Sequence, residues 1–418
     1  MRSISILLFT LVSIAGCSSK GTTSNQSIQP TQKSSYSLSE TSRQQHSTTA
    51  VLLTFSGGGT RAAALSYGVL KGLNEINYNS LQEESSLLDQ VMAISSVSGG
   101  SFTAAYYGLY GEQVFERFEQ DFLYRDVSRG LLDMLISPKY VFSNQTRTTA
   151  AANFYNESLF KDQTFADMRE DGPLIIINAS DLGGGVRFSF LQEYFDLLCS
   201  DILQYSVSDA VTASSAVPII FEPVALRNFD QCESRSFYSE NVQSSPHVKS
   251  TLKGLDSYAN KKERPYVHLV DGGITDNLGL LAFYDITQSN LSFFNRLSNN
   301  IDTVVIIAVD ASTQPKTSID STIEPPSTAS TINAVTDIQL HRYNDMSKHL
   351  IIEKLTQWER ESAERTTHFI DINLNNSVDV SSMNAIPTDF KLERDQVDAL
   401  IGHGYQQIME HSSLRYLE

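Results

Sequence analysis

Residues 50–61 read Ala-Val-Leu-Leu-Thr-Phe-Ser-Gly-Gly-Gly-Thr-Arg, an apolar run that leads through three glycines into a polar pair. The run at 50–55 is typical of a buried parallel strand, and apolar residues recur at helical spacing over 60–74. A strand that turns through glycines into a helix predicts an α/β fold, and the N–H groups at the helix start suit an anion. That anion is a catalytic oxyanion or a nucleotide phosphate, while tight packing alone also explains the glycines.

The same alternation continues along the chain. Further apolar runs of strand length cover residues 90–97, 174–178, 266–270 and 303–310. Helical patterns lie between them, and two long ones cover 331–364 and 392–410, after a Ser/Thr/Pro-rich stretch at 315–330 that is typical of a surface loop. Strands that alternate with helices predict a mostly parallel central sheet with helices on both faces.

A second turn between a strand and a helix, at residues 95–101, contains the candidate nucleophile Ser98. Small neighbours on such a turn let a serine Oγ project at the end of the sheet. The usual elbow has glycine two residues before the nucleophile, and here Ser96 occupies that position. A serine at a helix start also serves as a simple N-cap, so this motif alone leaves both roles open.

A third motif, Asp271-Gly272-Gly273, follows the strand-like run at 266–270. An aspartate at the carboxyl end of a strand lies where open α/β sheets bind their ligands. In that position it could accept the serine proton. The commoner use of Asp-Gly is a turn stabilised by Asx hydrogen bonding, which stays open for this motif alone.

Taken together and in chain order, four blocks resemble those of the patatin-like phospholipases. The blocks are SGGGTR at 56–61, SVSGG at 96–100, ASSAVP at 213–218 and DGG at 271–273. The departure is Ser96, where the family usually has glycine. The resemblance implies a three-layer α/β fold and hydrolysis of carboxylic esters of lipids, with phospholipid as the favoured substrate class.

The resemblance also implies roles for individual residues. Ser98 would attack the ester carbonyl and Asp271 would take its proton, in a dyad without histidine that forms an acyl-serine intermediate. The oxyanion would be held by the N–H groups of Gly57, Gly58 and Gly59. Arg61 would help to orient the glycine loop, and residues 213–218 would pack beneath the site. No cofactor and no metal, calcium included, is implied.

Two other interpretations of these motifs stay open. An α/β-hydrolase would use Ser98, Asp271 and a late histidine such as His403 as a triad. Against it, the glycine loop here follows the first strand of the folded region directly, and that scheme gives the block at 213–218 no role. A catalytically inert lipoprotein would use the same cleft to bind lipid or a partner.

Charge and histidine spacing exclude other functional classes. The chain has 31 Lys and Arg against 48 Asp and Glu, a formal net charge of −17. A polyanion without a basic stripe repels phosphate backbones, which argues against nucleic-acid binding. The eight histidines include no metal-site spacing such as His-Glu-x-x-His. The sequence identifies no protein partner.

The amino terminus predicts export and lipidation. A basic start and a short apolar run over 1–16 are typical of a signal peptide. Residues 14–17, Ile-Ala-Gly-Cys, resemble the lipobox of bacterial lipoproteins, in which Cys17 becomes lipidated and attaches the protein to a membrane. An ordinary secretory signal is the alternative. Because Ser18 follows the cysteine, the resemblance predicts a lipid-anchored envelope protein, in the outer rather than the inner membrane of a Gram-negative cell.

The remaining sequence divides into a linker and one domain. Residues 17–49 are rich in Ser, Thr and Gln and predict a flexible tether after the lipidated cysteine. Residues 50–418 form the predicted acyl hydrolase domain. Cys199 and Cys232 are an even pair in an oxidising compartment, and they form either a disulfide or two separate buried thiols.

Overall fold

A computed structural model describes residues 22–28, 36–38, 48–79, 84–137, 145–232, 246–288, 301–314, 320–377 and 379–416. The predicted signal peptide over 1–16 and the candidate lipidation site Cys17 lie outside these residues. Within the described ranges, no helix is long and apolar enough to cross a bilayer.

The secondary structure begins and ends at the following residues. The strands are β1 Gln26–Ser27, β2 Thr49–Phe55, β3 Asn77–Asn79, β4 Glu84–Ser86, β5 Val91–Val97, β6 Leu174–Asp181, β7 Val186–Ser189, β8 Ser200–Asp201, β9 Val224–Arg227, β10 Tyr266–Val270, β11 Thr303–Asp310 and β12 Thr366–Asn373. The α-helices are α1 Gly59–Glu75, α2 Gly99–Tyr110, α3 Gln113–Phe118, α4 Val127–Leu135, α5 Arg147–Tyr155, α6 Gln192–Leu197, α7 Val207–Ser214, α8 Pro246–Asp256, α9 Gly273–Asp276, α10 Leu280–Gln288, α11 Thr328–Arg360, α12 Val380–Ala385 and α13 Arg394–Met409.

An eight-stranded sheet in the order β12-β11-β2-β5-β6-β10-β9, with β7 paired to β6, organises the described residues. Strands β12, β11, β2, β5 and β6 are mutually parallel, whereas β10, β9 and β7 pair in the antiparallel sense. Every residue of β2, β5 and β6 is buried, so helices cover both faces of the parallel part. The predicted α/β fold with a mostly parallel central sheet is confirmed.

Although β10 is antiparallel to β6, its carboxyl end lies close to the carboxyl end of β5. Strand β5 ends at Val97, which pairs with Asn178 of β6, and β6 continues for three further residues. Strand β10 pairs with this extension, with Val270 beside Ser180, and runs back toward Asn178. The residue that follows Val270 therefore arrives beside the end of β5.

Helix α1 is fixed against the sheet by α13. The two helices approach so closely that a side chain on Gly68 would lie 2.1 Å from the carbonyl oxygen of Ile401. Only glycine permits this separation without moving the backbone. The amino-terminal end of α1, where the glycine turn lies, is thereby held in a defined place.

Parts of the predicted tether pack on the folded body. Residues 22–28, which we call the N-terminal strap, contain β1, and Gln26 pairs with Asp201 of β8. Further along, Tyr36 and Leu38 are buried, and the Tyr36 hydroxyl donates to the carbonyl of Ile175 at 2.7 Å. These segments differ from the flexible tether predicted for 17–49 because backbone pairing and two apolar side chains hold them, features that an average composition does not register.

A disulfide lies beside the strap. Cys199, immediately before β8, is joined to Cys232, and their Cα atoms are 5.6 Å apart. The backbone N–H of Ile28 donates to the carbonyl of Cys199 at 2.9 Å. The bridge therefore links the chain after β9 to the same short strand that receives the strap.

Candidate active site

Ser98 occupies a strained turn between β5 and α2. Its backbone has φ 49° and ψ −119°, a positive φ that residues other than glycine rarely adopt. Such strain persists where the surroundings over-determine the backbone, and it is frequent at active sites. The geometry is that of a nucleophile elbow, with Ser98 at the end of the sheet.

The side chains of Ser98 and Asp271 meet. The Ser98 hydroxyl donates to Oδ2 of Asp271 at 2.9 Å, and both residues are buried. The other carboxylate oxygen, Oδ1, accepts the N–H of Gly273 at 2.8 Å. Burial raises the pKa of Asp271 to about 6, against the lowering effect of these two hydrogen bonds. The carboxylate is thus a stronger base than an exposed aspartate and still ionised at neutral pH.

Backbone and side-chain bonds fix Asp271 in this position. Its N–H donates to the carbonyl of Ala216 at 3.0 Å, and its own carbonyl accepts the Ser180 hydroxyl at 2.8 Å. The next N–H, of Gly272, donates to the carbonyl of Ser214 at 3.0 Å. The carboxylate is therefore held between β6 and the end of α7.

The glycine turn offers fewer free donors than the sequence predicts. The N–H of Gly57 donates to the carbonyl of Asn277 at 3.0 Å, so it is already engaged and differs from the oxyanion role expected for it. Within the described part of the chain, the N–H groups of Gly58 and Gly59 have no acceptor. The same is true of Gly99, the residue after Ser98, which the sequence analysis did not single out.

Gly59 and Gly99 bring the two turns into direct contact. A side chain on Gly99 would lie 2.0 Å from the carbonyl oxygen and 2.6 Å from the nitrogen of Gly59. Gly59 has φ +60°, in the left-handed region that favours glycine. The start of α1 thus lies against the start of α2, and the free N–H groups belong to two helix N-termini, where anions are favoured.

Arg61 holds the glycine turn in place through hydrogen bonds to two backbone carbonyls. Its Nε donates to the carbonyl of Ala311 and its Nη1 to the carbonyl of Ile386, both at 2.8 Å. Burial lowers the pKa of this guanidinium to about 10, so it stays cationic at neutral pH. A side chain on Gly58 would lie 3.5 Å from Nη2 of Arg61, which places the arginine directly against the turn.

The block at 213–218 divides into a buried and an exposed part. Residues 213–216 are buried beneath the site, as expected, whereas Val217 and Pro218 are exposed. Ser214 has a specific role that the packing interpretation missed, because its Oγ accepts the backbone N–H of Ser98 at 2.8 Å. The sequence signal for this role was the position of Ser214 in the block at 213–218, because a hydroxyl in a buried motif requires a hydrogen-bond partner.

His403 lies apart from the serine and the aspartate. Its Nε2 is 3.0 Å from the carbonyl oxygen of Asn373 and 2.8 Å from Nε2 of Gln407, and burial lowers its pKa. Among the described residues, no histidine is bonded to Ser98 or Asp271. This arrangement does not provide the third member that an α/β-hydrolase triad requires.

Comparison with known families accords with this geometry. The family model for patatin-like phospholipases matches residues 53–284, more than half of the chain. The match starts within β2, ends within α10 and includes Ser98 and Asp271. The chain belongs to the patatin-like phospholipase family. Comparison with curated proteins finds no match.

Solved structures similar to this member of the family include a human and a bacterial protein. Human GIVD cytosolic phospholipase A2 aligns with a TM-score of 0.48 and 12% identity, over 91% of this chain and 61% of that chain. VipD from Legionella pneumophila aligns with a TM-score of 0.35 and 13% identity, over 87% of this chain and 66% of that chain. The patatin-like chain thus spans about three fifths of the length of the human structure.

Proposed function

We propose that this patatin-like protein hydrolyses carboxylic ester bonds of lipids, with phospholipids as the favoured class, through a Ser98–Asp271 dyad. The observation that carries the proposal is the 2.9 Å hydrogen bond from Ser98 Oγ to Asp271 Oδ2. A serine hydroxyl is a weak nucleophile until a neighbouring base accepts its proton. Asp271 fits that task because its raised pKa increases its basicity.

The first half of the reaction forms the acyl-enzyme. Ser98 Oγ attacks the ester carbonyl carbon while its proton moves to the carboxylate of Asp271. The tetrahedral intermediate then collapses, the bond to the leaving alcohol breaks, and that alcohol takes the proton from Asp271. The acyl group is left as an ester on Ser98.

The second half restores the enzyme. A water molecule attacks the acyl-Ser98 carbonyl and gives a proton to Asp271. Collapse of this intermediate releases the fatty acid, and the Ser98 oxygen recovers the proton from Asp271. The products are one carboxylic acid and one alcohol, and Asp271 ends as it began.

We assign the oxyanion hole to the N–H groups of Gly58, Gly59 and Gly99. These donors lack acceptors within the described residues, and the contact between Gly59 and Gly99 groups them next to Ser98. Preorganised donors of this kind are usually the largest electrostatic contribution, and loss of one costs roughly 3–4 kcal/mol in a comparable hydrolase. We leave Gly57 out because Asn277 already accepts its N–H.

We further propose that the protein is anchored to the cell envelope by lipid on Cys17. The support is the Ile-Ala-Gly-Cys sequence at the end of a short apolar run. An anchored enzyme would meet its substrate in the membrane to which it is attached. The proposal favours the outer membrane if the source is Gram-negative, because Ser18 follows the cysteine.

An active-site-directed fluorophosphonate tests the hydrolase proposal. We expect one covalent adduct on the full-length protein, mapped by peptide sequencing to Ser98, together with loss of ester hydrolysis. Ser95→Ala is the matched control and should still be labelled. The Ser95 hydroxyl is buried and donates to the carbonyl of Gly279 at 2.7 Å, so it is not the expected target. Absence of labelling in an active preparation, or labelling that maps to another serine, would refute the assignment.

A further inference from the structure

Four consecutive apolar residues are exposed two residues after the end of α7. Residues 217–220 read Val-Pro-Ile-Ile, and we call them the apolar loop. Their exposed fractions include 37% for Val217, 86% for Ile219 and 57% for Ile220. A run of exposed apolar side chains is unfavourable in water and marks contact with a partner or a membrane.

The apolar loop is adjacent to Asp271, the proposed catalytic base. Ala216, the residue before the loop, accepts the backbone N–H of Asp271 at 3.0 Å. On the other side of Asp271, Ile274 is 55% exposed. Exposed apolar side chains therefore occur on both chain segments that meet at Asp271.

The loop has a defined conformation. The N–H of Phe221 donates to the carbonyl of Val217 at 3.0 Å, and Glu222 accepts from Arg147 Nε of α5 at 3.1 Å. Ile219 has φ +78°, which is costly for a β-branched residue. Backbone strain of this kind persists when surrounding contacts hold it, and it clusters at functional sites. The ion pair also neutralises the charge of Glu222.

The amino-terminal end of the N-terminal strap lies at the same end of the sheet as the apolar loop. Thr23 bridges Ala225 in the parallel sense, so the strap runs in the same direction as β9. Strand β9 starts at Val224, which pairs with Leu269, two residues before Asp271. The amino-terminal end of the strap, at Thr23, therefore lies at the end of β9 nearest the apolar loop.

The length of the linker that precedes Thr23 limits the position of Cys17. Thr23 is six positions after Cys17 in the sequence. A fully extended chain spans at most about 3.6 Å per residue, so a linker of this length reaches no further than roughly 22 Å from Thr23. Lipid on Cys17 would thus hold the apolar loop close to the membrane surface.

We propose that the apolar loop, with Ile274, is a docking surface for the lipid leaflet that holds the Cys17 lipid, so that Ser98 lies near ester bonds in that leaflet. This inference rests on the proposed function and on the proposed anchor. The occupant is a zwitterionic lipid surface, because a protein with a net charge of −17 gains nothing electrostatically from anionic lipid. Contact through uncharged apolar side chains needs no such attraction.

Quenching of an introduced tryptophan by brominated lipid tests the contact. Full-length lipidated protein is reconstituted in phosphatidylcholine vesicles that carry bromine on the acyl chains. Ile220→Trp places the reporter in the loop, and Tyr266→Trp is the matched control, since Tyr266 is 50% exposed at the opposite end of β10 from Asp271. Trp358, the single native tryptophan, gives the background in the unsubstituted protein.

We expect the emission of the Ile220→Trp protein to fall at least twofold in brominated vesicles, with little change for Tyr266→Trp. Equal quenching of both variants, or none, would overturn the proposal. A blue-shifted emission of Ile220→Trp without vesicles would mean that protein already covers the loop, which also overturns the proposal.

Enzyme rates separate failure of docking from failure of the proposed function. In Ile219→Asn/Ile220→Asn, asparagine tolerates the positive φ, and the ratio of vesicle hydrolysis to hydrolysis of a soluble short-chain ester should fall at least tenfold. Tyr266→Asn should keep the wild-type ratio. An unchanged ratio in the double variant refutes docking and leaves the hydrolase intact. If wild type hydrolyses neither ester, the hydrolase proposal fails and the quenching result still decides docking.

Discussion

The backbone N–H of Ser98 donates a 2.8 Å hydrogen bond to Oγ of Ser214, a residue 116 positions later in the chain. The Ser214 hydroxyl in turn donates to the carbonyl of Asn178 at 2.6 Å. These two bonds connect the end of β5 to α7 and to β6. They also satisfy a buried N–H at a strained residue, which otherwise would cost free energy.

Ser214→Ala should misplace Ser98, the proposed nucleophile. The variant removes the acceptor of the Ser98 N–H, so the free energy of unfolding should fall by about 1–3 kcal/mol. A small displacement of the reacting group should lower kcat by roughly ten to a hundredfold with little change in KM. Denaturant unfolding and initial rates on a short-chain ester measure the two effects.

Ser215→Ala is the matched control for this variant. Ser215 follows the last residue of α7, and its hydroxyl donates to the carbonyl of Val211 in that helix at 2.8 Å, whereas the Ser98 N–H donates to Ser214. Its rates should stay near wild type. Equal kinetic effects of the two alanine variants would mean that Ser214 contributes only packing.

Replacement of the nucleophile should separate activity from stability. Ser98→Ala should abolish ester hydrolysis and fluorophosphonate labelling while the circular dichroism spectrum stays that of wild type. Ser98→Gly should be equally inactive but more stable than Ser98→Ala, because glycine adopts φ 49° without strain. Thermal melts of the two variants, compared under one condition, measure this difference.

The contrary results for Ser98 are specific. Retained hydrolysis or labelling in Ser98→Ala would assign the chemistry to another residue. A Ser98→Gly protein no more stable than Ser98→Ala would mean that the turn stores no strain at this residue.

Motifs and buried strands were predictable because their signals are local. Continuous apolar runs marked β2 and β5, and the strand bounds Tyr266–Val270 and Thr303–Asp310 are confirmed as predicted. Strand β12 was missed because it lies at an edge of the sheet and is buried only at alternate positions such as Ile370 and Ile372. The polar residues of β12 interrupt the continuous apolar run that predicts a buried strand.

Partners distant in sequence were not predictable. The engagement of the Gly57 N–H by the carbonyl of Asn277 depends on how two turns fold together, and no residue type signals it. The N–H of Gly99, which has no acceptor among the described residues, and the hydroxyl of Ser214 likewise owe their proposed roles to geometry. The antiparallel direction of β10 is a matter of topology, since its sequence resembles that of a parallel strand.

The pH dependence of hydrolysis should report the ionisation of Asp271. The carboxylate must be ionised to accept the Ser98 proton, and burial raises its pKa to about 6. The value of kcat/KM should therefore be constant above pH 7 and fall about tenfold per pH unit below pH 6. A profile measured on a soluble ester over the range in which the protein stays folded checks this. An acidic limb centred near the ordinary aspartate pKa of 3.8 would contradict it.

Membrane attachment should depend on Cys17. Wild-type protein expressed in a bacterial host with lipoprotein processing should partition into the detergent phase and yield an amino-terminal peptide with lipid on Cys17. Cys17→Ala should stay unprocessed or move to the aqueous phase, because several acyl chains anchor far more firmly than one. Ser18→Ala, beside the modified residue, is the control and should still be lipidated. A free Cys17 thiol in the mature wild-type protein would refute the anchor.

Asp271→Asn should lower activity and raise stability together. The amide cannot accept the Ser98 proton, so kcat should fall by roughly 10²–10⁴-fold. The native pKa of Asp271 is raised above its ordinary value of 3.8 to about 6, so the folded state binds the proton more tightly than the unfolded state. Stability therefore falls as pH rises from about 4 to 6, and above pH 6 the ionised group costs up to about 3 kcal/mol.

His403→Ala is the kinetic control for the dyad. His403 is bonded to Asn373 and Gln407, away from Ser98. Its loss should therefore lower the free energy of unfolding and leave kcat near that of wild type. At pH 7.5, Asp271→Asn should melt at a higher temperature than wild type, and the gain should shrink at pH 5, where the wild-type carboxyl is protonated. A triad would give the opposite kinetic ranking, since loss of its histidine costs about as much as loss of the serine. Near-wild-type activity in Asp271→Asn, or a folded but inactive His403→Ala, would rule out the dyad.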